Sequence, residues 1–235
     1  VGPLYGVLIE SAENIDVPGG FSGGMAGHNF AILPVANSFV ANIKLRGHNL
    51  DESNLGAFLM LRSSPSVSVP NTVIVSDCTF NGQLVGLRAI DASGDSGLFS
   101  VINLRLRNNT YRAHLFGCNR LTGVDGGIST GERYAGYNCA GNDTATGGDA
   151  TSSAIYIADI TRNFRIDGAM FGGGINNDYE TDVPDAYGIS PNATQWGIID
   201  TTGGTQGNVY YKCRSINFGK VAGGLQLGAT IDSAA

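Results

Sequence analysis

A helical pattern is what this sequence most plainly lacks. Nowhere in its 235 residues does an apolar period of 3.6 persist over the roughly 11–18 residues that mark an amphipathic helix. Bundles and helix-covered sheets are thereby excluded. No run approaches the roughly 18 apolar residues of a membrane-spanning helix, so no membrane span is expected. Charge is sparse as well, at 14% of residues against roughly 25% in an average soluble protein. Fourteen basic residues face 20 acidic ones, for a net charge of −6. Such a chain lacks the basic footprint that phosphate backbones require, and nucleic acid is not expected as a partner. Lysine is scarcest: 11 of the 14 basic residues are arginine, which suits planar recognition of carboxylates or sugars as well as plain surface solvation. Cys78, Cys118, Cys139 and Cys213 form no C-x-x-C pair, so neither a zinc nor a thioredoxin-like site is indicated, and buried free thiols are expected. His28, His48 and His114 are scattered, which leaves no metal triad.

Glycine, by contrast, is abundant: 35 residues, about twice the usual share of roughly 7%. Three of them, Gly47, Gly136 and Gly168, sit in a recurring six-residue pattern. Its copies are Leu45–Leu50, Val75–Phe80, Leu106–Tyr111 and Ile166–Phe171, with weaker ones at Tyr134–Cys139 and Tyr211–Ile216. First positions step by 30 (45 to 75), 31 (75 to 106), 28 (106 to 134), 32 (134 to 166) and 45 (166 to 211). A period of this size belongs to a solenoid, whose repeats bury their apolar faces against one another. In five of the six copies another apolar residue stands two places before the first position: Ile43/Leu45, Val73/Val75, Leu104/Leu106, Phe164/Ile166 and Val209/Tyr211. Period two means strand. Gly47, Asp77, Asn108, Gly136 and Gly168 follow as bend residues, and an apolar residue then turns the chain inward again.

A second strand family lies between these copies: Ala57–Leu61, Val85–Ile90, Ala113–Phe116, Ala154–Ile157, Trp196–Ile199 and Val221–Leu225. About three short strands per coil of about 30 residues predict an all-β, single-stranded parallel β-helix solenoid, with rungs about 4.8 Å apart. This repeat resembles that of the right-handed parallel β-helix proteins, the pectate-lyase-like fold that also forms bacteriophage tailspike and appendage bodies. With no polar linker in view, residues 1–235 are expected to form one domain. In it, 1–29 would be an N-terminal cap or first coil and 30–230 the repeats. Neither a Met nor a signal peptide opens the chain at Val1, as in a processed chain or a fragment.

Solenoids act through insertions on one face. Two long connections, 140–153 and 172–195, each precede a strand of the second family and should emerge on one side. There the strand-end carboxylates Asp159 and Asp200 would lie about one rung, near 5 Å, apart, the separation of a retaining glycosidase pair. Asp91 holds the comparable place in an earlier coil. Each Asp would equally serve as a turn cap. Glu180 and Asp185 are alternates for acid–base work. Tyr156, Tyr179, Tyr187 and Trp196 gather at the same insertion as aromatic surfaces for sugar rings, though Tyr156 and Trp196 suit a core role as well. Asp178, Glu180 and Asp182 form a candidate calcium loop, although Val183 and Ile189 break the EF-hand pattern and a solvated acidic loop fits them too.

Three functions remain open. The first is a virion-associated β-helix, virion-borne or extracellular, that engages a host surface polysaccharide through those insertions. The second is a polysaccharide depolymerase, hydrolase or lyase, using Asp159 and Asp200. The third is a passive structural or decoration protein. The resemblance further implies a homotrimer of parallel solenoids and attachment to a larger virion assembly. It carries no active site across, since the Asn-Thr-Asp and Gly-His-Gly runs and the Asp-Asp pair of polygalacturonases are absent.

Overall fold

Alternating apolar residues bury one face of each segment and wet the other, so extended backbone dominates the computed structural model. The structure describes residues 3–51, 55–62, 64–81, 85–91, 98–112, 118–135, 153–157, 160–172, 196–200, 202, 206–216 and 226–227. Among the described residues there is no helix, and every strand pairing is parallel. No helix there is long and apolar enough to cross a membrane.

Two sheets carry the chain. The first stacks eight strands in sequence order: Tyr5–Ile9, His28–Ile32, Gly56–Arg62, Leu87–Asp91, Asn119–Leu121, Ser153–Ile157, Trp196–Asp200 and Gln226–Leu227. The second is built on one long strand, Val40–Asp51, bent at Gly47, whose φ of +65° costs glycine little. Before the bend lies a first arm, continued by Asn71–Ser76, Val101–Arg107, Val124–Thr130, Arg162–Asp167 and Val209–Tyr211. After it lies a second arm, continued by Thr79–Asn81, Thr110–Arg112, Arg133–Ala135, Met170–Gly172 and Arg214–Ile216. Asp16–Ser22 pairs along both arms of the long strand. The chain thus visits first sheet, first arm and second arm in a fixed cycle.

Two columns of left-handed residues hold the cycle in step. One marks the bend between the arms: Gly19, Gly47, Asp77, Asn108, Gly131, Gly168 and Lys212. The other opens the first arm: Asn14, Asn42, Thr72, Asn103, Gly126, Asn163 and Gly207. Asparagine and glycine adopt this conformation at least cost. Stacked side chains bond along the second column, Asn42 Nδ2 to Asn14 Oδ1 at 2.9 Å and Asn103 Nδ2 to Thr72 Oγ1 at 3.0 Å.

The pairing register corrects two copies of the sequence repeat. Leu106 pairs with Ser129, and Tyr134 pairs with Tyr111 at the closing place instead of opening a copy of its own. The last copy begins at Tyr210, one residue before the expected Tyr211. The true steps are therefore 23 (106 to 129), 37 (129 to 166) and 44 (166 to 210). Both errors arise where inward positions are not apolar: Gly127 and Ser129 in one coil, Asn208 in the other. In the second strand family, Ala113–Phe116 and Val221–Leu225 lie outside the described residues; strands of the first sheet stand instead at Asn119–Leu121 and Gln226–Leu227.

Both sheets share one apolar core, which holds Phe30, Phe58, Leu45, Val75, Leu106, Phe164 and Ile198 among others. Rings stack along it. Phe80, Tyr111 and Tyr134 lie face to face at 4.7 and 4.9 Å between centroids, and Phe30 and Phe58 at 5.1 Å. In-register pairing produces these stacks directly, since equal places of successive coils sit one rung apart.

Candidate functional site

The first sheet carries the residues singled out for carbohydrate chemistry. Its register sets Asp200 opposite Ile157. Asp159 lies two positions beyond Ile157 and outside the described residues. Asp200 shares a column with the fully buried Ile157 and is itself 2% exposed. Its oxygens are taken up internally. Oδ1 accepts from the Thr202 N–H at 2.8 Å and the Thr202 hydroxyl at 2.6 Å, while Oδ2 accepts from Asn208 Nδ2 at 3.3 Å and from the Tyr210 hydroxyl. Burial and the neighbouring Asp200 charge push the Tyr210 phenol well above its ordinary range. Four donors converge on a carboxylate that water does not reach, which is the geometry of an internal cap. Asp200→Asn replaces an acceptor by an amide that must turn a donor toward two of them. The expected cost is about 2 kcal/mol, read as a lowered thermal midpoint; an unchanged midpoint would contradict the capping role.

Tyr156 is 6% exposed, with the Arg120 guanidinium 5.4 Å over its ring, so one aromatic face is occupied by a cation. Trp196 opens its strand opposite Ser153. Asp91 ends its strand opposite Arg62. Tyr179, Glu180, Asp185, Tyr187 and the candidate calcium ligands Asp178, Glu180 and Asp182 lie outside the described residues. So do both insertions, apart from Ser153 and Gly172 at their margins. Among the described residues, no cluster of three His, Cys, Asp or Glu side chains stands ready for a metal. Cys78 and Cys213 are free thiols, and burial pushes both up to about 11, far from a reactive thiolate at neutral pH; Cys118 is buried. Burial and the Arg88 charge lower His28 to about 4.

A second buried carboxyl escaped the sequence pattern. Glu132 is fully buried, with Oε1 accepting from the Asn109 N–H at 3.1 Å and from Asn109 Nδ2 at 3.2 Å. Burial raises it to about 8, against the lowering effect of Asn109 and Tyr111. Asn109 in turn accepts from the Cys78 N–H at 2.9 Å and donates to the Val75 carbonyl at 2.9 Å. The pair forms a polar seam inside the stack, sealed from any substrate. Its signal was the alignment of Asn109 with Glu132 just past the bend, hidden because that coil had been placed at Tyr134.

The outer face of the first arm is one described surface that lies open to solvent. The register piles Asp16, Lys44, Ile74, Arg105, Ile128, Arg165 and Val209 into one outward column. Lys44, Arg105 and Arg165 are exposed, while Ile74 and Ile128 are half-buried between them. Beside it runs Arg46, Ser76, Arg107, Thr130, Asp167 and Tyr211. A half-open hollow of about 200 Å³, lined by Asn14, Ile15, Asp16, Asn42 and Lys44, lies at the foot of these columns. That is smaller than the roughly 300–1,000 Å³ typical of an enclosing small-molecule site. The chemistry on view is that of a long ridged surface. Neither a protein-family model, nor a curated protein, nor a solved structure matches this chain.

Proposed function

We propose that this chain is a right-handed parallel β-helix that engages a host surface polysaccharide along its outer face, as the body of a virion-borne or extracellular appendage. The observation that carries the glycan-binding part is the column Lys44–Ile74–Arg105–Ile128–Arg165, in which basic and apolar side chains alternate up the stack. An extended sugar chain presents the same alternation of polar groups and C–H faces, and it needs a long surface more than a deep pocket. The fixed cycle through three parallel ladders supports the β-helix. The virion setting rests on the resemblance of the repeat to appendage bodies.

Binding is favoured over hydrolysis because the Asp200 carboxylate is buried and spent on internal donors. Incubation with a panel of bacterial surface polysaccharides is expected to retain at least one polymer in a pull-down, with no new reducing ends over time. Retention of none would overturn the proposal. Progressive shortening would replace it with a depolymerase.

A further inference from the structure

We infer that the polymer bound is acidic, and that Arg105 and Arg107 read its carboxylates; this rests on the glycan-binding function proposed above. Three features of the first arm point to that chemistry.

The first is how arginines on this face already behave. Arg46 grips Asp16 through Nε at 3.0 Å and Nη2 at 2.7 Å, and Arg162 grips Asp125 through the same two nitrogens at 2.9 Å each. Both pairs join neighbouring coils, and both show the planar two-point fork that matches a guanidinium to a carboxylate. Arg165 likewise reaches Asp167 at 3.0 Å while lying 5.2 Å over the Tyr211 ring.

The second is the coil between these pairs. Residues 98–112 contain Arg105, Arg107 and Arg112 and no acidic residue. Arg105 and Arg107 are exposed, and no salt bridge reaches either among the described residues. The only side-chain bond described for the pair runs from Arg105 Nε to Asn103 Oδ1 at 3.2 Å. At both ends of the face arginines are forked to the protein's own carboxylates; the coil of Arg105 and Arg107 supplies none, and Asp77 on the next rung forms no salt bridge with either.

The third is spacing. Lys44, Arg105 and Arg165 occupy alternate rungs, about 10 Å apart by strand spacing. Ile74 and Ile128 fill the rungs between and offer apolar contact to sugar ring faces. A polyanion of regularly spaced carboxylates meets cation, apolar step and cation in turn. A nucleic acid is disfavoured, because the stripe holds few unpaired cations and the chain carries a net charge of −6.

The test measures affinity for polygalacturonate, for the same polymer with its carboxyl groups reduced, and for a single-stranded oligonucleotide of comparable charge. Polygalacturonate is expected to bind about tenfold or more tightly than the reduced polymer. The double variant Arg105→Ala with Arg107→Ala should lose about tenfold or more, the worth of two charge-assisted contacts. Arg105→Lys with Arg107→Lys should fall between, since it keeps charge but not the fork. Arg62→Ala, away from this face, should leave affinity unchanged, and the Arg105 and Arg107 variants should keep the parent's thermal midpoint. Equal binding of charged and reduced polymer, or an unaffected double alanine variant, would overturn the carboxylate assignment and leave glycan binding standing. Equally tight, arginine-dependent binding of the oligonucleotide would overturn it in favour of phosphate. Binding of none of the three would remove the acidic-polymer assignment, while the polysaccharide panel separately decides whether any glycan is bound.

Discussion

Tyr111→Ala is expected to destabilise the fold by about 3–5 kcal/mol, the range for removing a buried aromatic ring. Tyr111 is fully buried between Phe80 at 4.7 Å and Tyr134 at 4.9 Å, so its loss breaks the ring stack at its centre. Each such contact adds about 0.5–1.5 kcal/mol beyond the area it covers. Glu132 and Asn119 lie beside the buried phenol and act on its ionisation. Tyr111→Phe keeps both stacks and drops only the hydroxyl, so its cost should be about 1 kcal/mol. Denaturant unfolding of both variants separates the two contributions. If alanine costs no more than phenylalanine, the ring stack is not what holds these coils in register.

The second large effect is a pH dependence set by Glu132. Its carboxyl is held at about 8 in the folded chain, against an ordinary value of 4.5. Between those values the unfolded chain has released a proton that the folded chain keeps, so folding loses stability as pH rises through that window. His28 acts in the opposite sense. Lowered to about 4 from 6.5, it adds stability as pH rises from 4 to 6.5, because only the unfolded chain is protonated there. The two slopes oppose each other up to about pH 6.5, and above it Glu132 acts alone. Stability should therefore fall by about 2 kcal/mol between pH 6.5 and 8. Glu132→Gln keeps an acceptor for Asn109 and cannot ionise. It should flatten that fall and unfold later than the parent at pH 8. Equal slopes for parent and variant between pH 6.5 and 8 would show that Glu132 is not buried as a neutral acid.

The period of the coils was legible wherever inward positions are apolar. Ile43/Leu45, Val73/Val75, Leu104/Leu106 and Phe164/Ile166 announce strands and align without error. It was lost where polar groups face inward. Ser129 is buried, and Gly127 passes so close to Leu104 that an added Cβ would lie 2.1 Å from its carbonyl oxygen. An apolar pattern therefore skips that coil and settles on Tyr134. Asn208, buried and bonded to Asp200, shifts the last copy by one place in the same way. The left-handed columns keep the register through both coils, since Gly126 and Gly131 frame one and Gly207 and Lys212 the other. They are backbone requirements, met by Asn, Gly, Asp, Thr or Lys, and so carry no single-letter signature. The candidate site suffered from the same slip. Arg105 and Arg165 are 60 positions apart in sequence and become neighbours only once Ile128 is known to lie between them.

The most direct measurement is arginine footprinting with phenylglyoxal, read by mass spectrometry with and without the polysaccharide that the panel identifies. Arg105 and Arg107 should be protected when the polymer is bound. Arg62, whose guanidinium is held by the carbonyls of Ser64, Pro65 and Val67, should react at an unchanged rate. Unaltered labelling of Arg105 and Arg107 under saturating polymer would contradict the assignment of the outer face as the binding surface.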